Sequence, residues 1–156
     1  MKKIIMKYDK PGKWEIVVPF EKIGEKKEWV AIVDARISGD YELLVTADHS
    51  VPKTNGRITI RAVVGARARL ILKGMIRIRK DAQETDDFLE LRVLTLDKTA
   101  IATVEPELEI EANNVKASHA ASVGSIDKEQ ILYLMSRGLS EKQAMNEIVE
   151  GFLMIS

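Results

Sequence analysis

Apolar and polar residues alternate with a period of two along most of the chain. Ile58 and Ile60 each stand between polar residues, and so do Ile76 and Ile78 apart from one neighbouring methionine. Successive side chains of a β-strand point to opposite faces, so this alternation predicts strands with one buried face. Further β-favouring runs lie at residues 14–18, 28–33, 41–46, 88–96, 100–104 and 108–110.

The spacing of these runs limits the architecture. Strand-like runs follow one another every 10 to 15 residues, and no helical pattern separates them. This spacing excludes βαβ units and a doubly wound sheet. An antiparallel sandwich or barrel and a parallel β-helix both remain. Asn55-Gly56 is the one good hairpin-turn signal, and periodicity alone does not distinguish the two architectures.

The C-terminal part of the chain changes to a helical pattern. Asp127 with Gln130, and Ser140 with Gln143, are typical of helix starts at which side chains cap backbone N–H groups. Gly138 is placed to end the first helix. We therefore predict two helices joined by a tight turn, the second over residues 140–155. Their apolar positions are Ile131, Leu134, Met135, Ala144, Ile148, Val149 and Phe152.

Composition removes several classes of function. The chain has 156 residues, enough for one domain with a sizeable core, and its 24 basic and 24 acidic residues balance. Cysteine is absent, which excludes disulfides, thiolate metal sites and cysteine-ligated clusters on this chain alone. The first apolar run ends after three residues, and no run is long enough to span a bilayer. We expect a cytoplasmic protein with neither a membrane nor a nucleic acid as its partner.

Several motifs resemble those of one known family. Residues 115–124 read VKASHAASVG, and residues 126–140 read IDKEQILYLMSRGLS. They resemble the C-terminal signature of the SufB/SufD iron–sulfur assembly proteins, roughly VKCSHGATVG followed by D-x-E-Q-x-F-Y-L-x-S-R-G-L. Gly151-Phe152 matches the GF pair that ends the family pattern. Upstream, the family's G, AQKTD and PxLEI motifs are matched in order by Gly74, residues 82–86 and residues 106–110.

The resemblance is strongest to the C-terminal core of SufD-like members, and it implies a fold and a role. The implied fold is mainly β, with a right-handed parallel β-helix over residues 1–125 and two α-helices over residues 126–156. The implied role is a non-enzymatic scaffold or accessory subunit that binds a SufC-type ATPase through its helices. The β-helix would pair with a SufB/SufD-family partner or with a second copy, as a homodimer. The residues expected to bind the ATPase are Ile148, Val149, Phe152 and Leu153.

The family's cluster-related cysteines are missing. SufD-like members have a cysteine where this chain has Ala117, and the position matching a SufB cysteine is Leu91. We therefore expect no tightly bound cofactor, and at most a transient iron–sulfur cluster within a complex. His119 is the candidate cofactor-binding residue, because an imidazole can ligate iron. A purely structural histidine is the alternative.

Two other functions are alternative hypotheses to the scaffold role. One is a small metal-binding protein that uses His119 with carboxylates. Asp48, His49 and Glu107 also carry the ligand types of a metal site, although a solvent-facing turn is the simpler interpretation of His49. The basic residues between Arg57 and Lys80 suggest a nucleic-acid surface. No aromatic residue interleaves with that basic run, so we favour a solvated face partly paired with the acidic segments 84–87 and 105–111.

Overall fold

The computed structural model describes residues 1–154, which form nine strands followed by two helices. The strands are β1 (Lys2–Tyr8), β2 (Gly12–Phe20), β3 (Lys26–Ala35), β4 (Asp40–His49), β5 (Asn55–Val64), β6 (Arg69–Ile78), β7 (Asp86–Thr95), β8 (Ile101–Ile110) and β9 (Lys116–Ser125). The helices are α1 (Lys128–Ser136) and α2 (Glu141–Leu153). The predicted last residue of the second helix, residue 155, lies outside the described residues.

The strands form two parallel sheets. The odd sheet has the order β1-β3-β5-β7-β9, and the even sheet has the order β2-β4-β6-β8. Each strand pairs with the strand two places later, so every two strands complete one coil. Trp29 lies opposite Ile58, and Ile58 lies opposite Leu89, which gives separations of 29 and 31 residues. The prediction of a mainly β protein with a parallel β-helix core and two C-terminal helices is confirmed.

The core lies between the two sheets. Inward side chains such as Ile58 and Leu89 of the odd sheet, and Leu43 and Leu72 of the even sheet, are at most 1% exposed. Paired residues of neighbouring coils stack along the coil axis, so each coil buries the inward face of the next. Because burying one such side chain contributes about 1.5–3 kcal/mol, this stacking is the main stabilising interaction of the coil.

The hairpin-turn signal Asn55-Gly56 does not form a hairpin in the structure. Both residues begin β5, which pairs in parallel on either side. Gly56 is instead required by packing, because a Cβ atom there would lie 2.6 Å from the carboxyl group of Asp87 on β7. The short residue makes room for a neighbour's side chain inside the coil.

Strands β8 and β1 differ from what the sequence pattern predicted. The runs at 100–104 and 108–110 belong to the single strand β8, which continues through Pro106. Because β8 is the edge strand of the even sheet, it tolerates a residue without an N–H group. Strand β1 was not among the predicted runs. Its apolar residues Ile5 and Met6 are adjacent rather than separated by a polar residue, and both are exposed.

The outer face of the odd sheet is covered by α2. Val149 and Leu153 pack on Val63 of β5, and both are buried. The Arg61 guanidinium donates hydrogen bonds to the carbonyl oxygen of Phe152 at 3.1 Å and to that of Met154 at 2.9 Å. These carbonyls lie at the C-terminal end of α2, where a cation is favourable. No helix within residues 1–154 has the length and apolar content needed to cross a membrane.

A second polar contact holds α2 against the coil. Arg36, in the corner after β3, donates to both carboxylate oxygens of Asp34, at 2.8 and 2.6 Å. The same guanidinium reaches Asn146 of α2 at 3.4 Å. The hydrogen bonds from Arg36 hold the pKa of Asp34 below its usual range.

We predict that Gly74→Ala destabilises the coil by about 1–3 kcal/mol, the usual result of overpacking a core. A Cβ atom at Gly74 would lie 2.9 Å from a methyl carbon of Leu89 and 3.2 Å from one of Leu91. Urea unfolding measures the change. Gly124→Ala is the matched control, since a Cβ at that strand position meets nothing within 4 Å. Equal stability of the two variants would contradict the packing described.

We also predict that Asp34→Asn lowers stability near neutral pH and that this difference shrinks in acid. A carboxylate with a lowered folded pKa stabilises the fold above its unfolded pKa of about 3.9, and the contribution is lost as the pH falls through the folded pKa. Unfolding measured between pH 7 and pH 2.5 tests this. Arg36→Gln should erase most of the pH-dependent difference, and a difference that is constant across this range would be inconsistent with the ion pair.

Candidate partner-binding surfaces

Capping residues build the two-helix unit that follows the coil. Asp127 begins α1 by accepting a hydrogen bond from the N–H of Glu129 at 2.8 Å. Ser140 and Gln143 form a complete capping box at the start of α2, as predicted. Gly138 lies between the helices with a φ of 100°, a conformation that disfavours other residues. The short connection keeps α1 beside α2.

A groove of about 470 Å³ lies between the helices and the end of the odd sheet. We call it the helical groove. Its apolar lining comes from Leu94, Tyr133, Leu134, Ile148 and Phe152. Its polar lining comes mainly from Asp127, Gln130 and Glu147, so the charged groups along it are acidic. Gln130 therefore lines the groove, although the sequence suggested that it would cap α1.

Helix α1 exposes most of its apolar residues. Leu132 is 64% exposed, Tyr133 is 57% exposed and Met135 is 39% exposed, whereas Ile131 is buried. The sequence pattern did not single out Leu132 and Tyr133, because a helical stripe beginning at Ile131 was expected to account for the packing. Large apolar side chains that a helix leaves exposed are candidates for contact with a partner, and Tyr133 is the one of these three that lines the helical groove.

The four residues predicted to bind the ATPase divide into two pairs. Val149 and Leu153 are buried against the chain's own odd sheet. Ile148 and Phe152 are half-buried and line the helical groove. The ring of Phe152 also lies under the Arg92 guanidinium, 5.6 Å from its centroid. Partner binding by these residues stays a prediction, and in this conformation only Ile148 and Phe152 are reachable.

The C-terminal end of the coil is open. Strands β8 and β9 are the edges of their sheets, and Leu108, Ile110 and Val123 are 40% to 50% exposed. His119 lies on β9 opposite the core residue Leu89, so it occupies a core-facing register position but is exposed. No further strand within residues 1–154 covers it. Cofactor binding by His119 stays a prediction.

The residues of the rival metal site are not brought together. His49 is the last residue of β4 and is fully buried, so its interpretation as part of a solvent-facing turn is wrong. The alternation of β4 places it on the inward face, whereas Asp48 points outward and pairs with Arg79 at 2.7 Å. Glu107 lies on β8, two strands away in the even sheet. No group of three or more histidines and carboxylates suited to a metal occurs within residues 1–154.

The basic residues between Arg57 and Lys80 do not form one surface. Arg57 and Arg61 lie on the odd sheet, whereas Lys73 and Arg77 lie on the even sheet, because consecutive strands belong to different sheets. The expectation of a single basic face is therefore wrong. Three of these eight side chains form ion pairs: Lys73 with Glu105 at 3.3 Å, Arg77 with Glu109 at 3.3 Å and Arg79 with Asp48 at 2.7 Å. The predicted pairing with the acidic segment 105–111 is confirmed.

Comparisons with known proteins agree with this architecture. A family model described as the SufBD core domain of SUF-system iron–sulfur cluster assembly matches residues 28–152. The chain is 36% identical over 105 residues to the iron–sulfur cluster assembly protein SufD of Escherichia coli, covering 67% of this chain and 25% of that protein. SufBD-family proteins of Staphylococcus haemolyticus and Mycobacterium bovis are each 30% identical over 105 residues, which cover 67% of this chain. The matched part is 23% of the first and 12% of the second.

The matched segment thus spans a quarter or less of the length of these relatives. The family model itself covers four fifths of the chain, from residue 28 in β3 to residue 152 in α2. The chain belongs to the SufB/SufD family of SUF-system iron–sulfur cluster assembly proteins.

Proposed function

We propose that this chain is a non-enzymatic scaffold subunit of iron–sulfur cluster assembly in the cytoplasm, and that it binds a SufC-type ATPase. The observation that carries the proposal is the uncovered apolar surface of α1 beside the helical groove. Leu132, Tyr133 and Met135 of α1 are exposed, and Tyr133 lines the groove, whereas Val149 and Leu153 of α2 are buried against the odd sheet. The chain has no G-x-x-x-x-G-K-[ST] segment, so ATP hydrolysis belongs to the partner.

The way α2 is attached suggests what the scaffold does. Val149 is fully buried on the odd sheet, and Arg61 fixes the C-terminal end of the helix to β5. A movement of the ATPase at the helical groove would therefore be passed to the coil rather than absorbed by a flexible linker. The strands nearest the groove are β7 and β9, whose residues Leu94 and Ser125 line it. Of these two strands, β9 is also an edge strand of the open end.

The open end supports a second part of the proposal, which is pairing with another β-helix. A stack of coils needs its terminal inward face covered, and an unpaired strand edge can pair with a second strand. Leu108, Ile110 and Val123 are large apolar residues left exposed at this end. We propose that a second copy, or a longer SufB/SufD-family partner, covers it. In such a complex a transient cluster would be the cargo, and His119 is the candidate ligand from this chain.

We predict that Tyr133→Asp weakens binding to a purified SufC-type ATPase by about tenfold or more. A charge placed at the centre of an apolar contact removes the burial and leaves a desolvated carboxylate. Isothermal titration calorimetry measures the affinity, and circular dichroism checks that the variant is folded. Val17→Asp is the matched control, since Val17 is 57% exposed but lies on β2. Wild-type affinity in the folded Tyr133→Asp variant would rule out the helical groove as the docking site.

We predict that the chain forms a homodimer and that Val123→Lys shifts it to the monomer. Val123 is 50% exposed on β9, at an inward register position opposite Val93. Sedimentation analysis across a concentration series gives the dimer dissociation constant. Ile23→Lys is the control, because Ile23 is 71% exposed in a corner between β2 and β3. A dimer that tolerates Val123→Lys but not Ile23→Lys would place the interface elsewhere.

A further inference from the structure

Within residues 1–154 the coil has four free strand edges, two at each end. Strands β1 and β9 are the edges of the odd sheet, and β2 and β8 are the edges of the even sheet. An unpaired edge presents a row of N–H and C=O groups to any strand of another chain, so soluble proteins protect their edges with proline or charged side chains. The four edges of this coil differ in that protection.

Strand β8 has both kinds of protection. At its start the N–H group of Ile101 donates to the carbonyl oxygen of Ala68, and just after its end that of Glu111 donates to Ile78. Backbone groups of a strand point alternately to its two neighbours, so the odd-numbered residues of β8 face β6 and the even-numbered residues face the free edge. Pro106 therefore leaves the middle of the free edge without a donor. The outward side chains at positions 105, 107 and 109 are glutamates.

The two edges at the N-terminal end are protected as well. The carbonyl oxygen of Phe20 on β2 accepts a hydrogen bond from the N–H group of Ser50 at 3.2 Å. The even-numbered residues of β2 therefore face β4, and Pro19 faces the free edge. On β1 the side chains of Lys3 and Lys7 are exposed, and lysine on an edge opposes the approach of a second strand.

Strand β9 contains no proline, and its one residue with a permanent charge, Lys116, lies at its first position. The N–H group of Lys116 donates to the carbonyl oxygen of Thr85, and that of Ile126 donates to Thr95, both at 2.9 Å. The even-numbered residues of β9 therefore face β7. The residues on its free edge all have an N–H group, and they are Ala117, His119, Ala121, Val123 and Ser125. Its other outward side chains are small, exposed and neutral, and they belong to Ser118, Ala120, Ser122 and Gly124.

A second copy of β9 fits this free edge. In an antiparallel pair about a two-fold axis the middle of the strand meets itself, so small neutral side chains lie opposite small neutral side chains. Lys116 is kept away from its own copy, because the first residue of one strand lies beside the end of the other. Two copies of β8 would instead bring two rows of glutamates together, and like charges across a strand pair are destabilising.

We propose that two copies of this chain pair through antiparallel β9 strands, which joins their odd sheets into one continuous sheet. The proposal rests on the proposed homodimer and names the edge that forms it. With the two-fold axis at Ala121, near the middle of the strand, Lys116 of each copy lies opposite Ile126 of the other and beside its Asp127. These opposite charges favour that register. Strand β9 also contains three alanines and a glycine, which are depleted in strands, so a second ladder stabilises it.

Residue-resolved amide hydrogen exchange, measured by NMR on the full chain at a concentration that gives the dimer, tests the proposal without a substitution. After correction for intrinsic rates, the N–H groups of His119, Ala121 and Val123 should exchange about a hundredfold more slowly than those of Val104 and Leu108. The latter two lie on the free edge of β8 and are the internal control. Equally fast exchange of both sets in a chain that sediments as a dimer would overturn the β9 interface and leave the dimer standing. A chain that stays monomeric would overturn both.

Spin-label distances in the dimer test the direction of the pairing. The chain has no cysteine, so a label on a single introduced cysteine reports one position, and Lys116→Cys, Ser118→Cys and Ala120→Cys place labels on the exposed outward side of β9. One residue advances a strand by about 3.4 Å and both labels move, so the distance between labels should shorten by about 14 Å from each site to the next. Distances that stay nearly constant belong to two β9 strands that run in the same direction, and they would overturn the proposal.

Discussion

Parallel pairing of each coil with the next is the constraint on which the rest of this protein depends. Inward side chains such as Ile58 and Leu89 are buried only because the neighbouring coils stack on them in register. The interaction repeats along one axis, so it leaves the last coil without a neighbour. The exposed apolar residues of β8 and β9, and the exposed His119, follow directly from that geometry. These exposed residues are the basis for the proposal that another chain pairs with this end.

The outer faces of the two sheets make different interactions. The even sheet has two ion pairs between β6 and β8, and Asp48 of β4 pairs with Arg79, which directly follows β6. The odd sheet presents Val63 with partly buried Ile32 and Leu94, and this apolar strip holds α2. Because surface ion pairs contribute little to stability, the even sheet's pairs mainly keep that face soluble. The helical unit, and with it the candidate docking surface, could attach only to the odd sheet.

Local sequence patterns predicted both helices and all strands except β1 and β9, but they did not predict which strands pair. Alternation around Ile58 and Ile76 correctly marked buried faces, and the capping residues of α2 marked its start. Alternation cannot show that a strand's partner lies 29 to 31 residues away in parallel, so it left the antiparallel and parallel architectures equally open. The family resemblance supplied the long-range order that the pattern lacks. It did not reveal the buried His49, whose inward position depends on the register of β4, or the helical groove, which forms only when α2 docks.

Hydrogen–deuterium exchange of the full chain, with and without a saturating SufC-type ATPase, tests the central claim most directly. The account predicts slower exchange in α1 and in the adjoining turn around Gly138, with α2 and the strands β7 and β9 affected next. The early strands β1 to β4 should exchange as in the free chain. Unchanged exchange in α1, or protection confined to the N-terminal coils, would contradict the assignment of the helical groove as the docking surface.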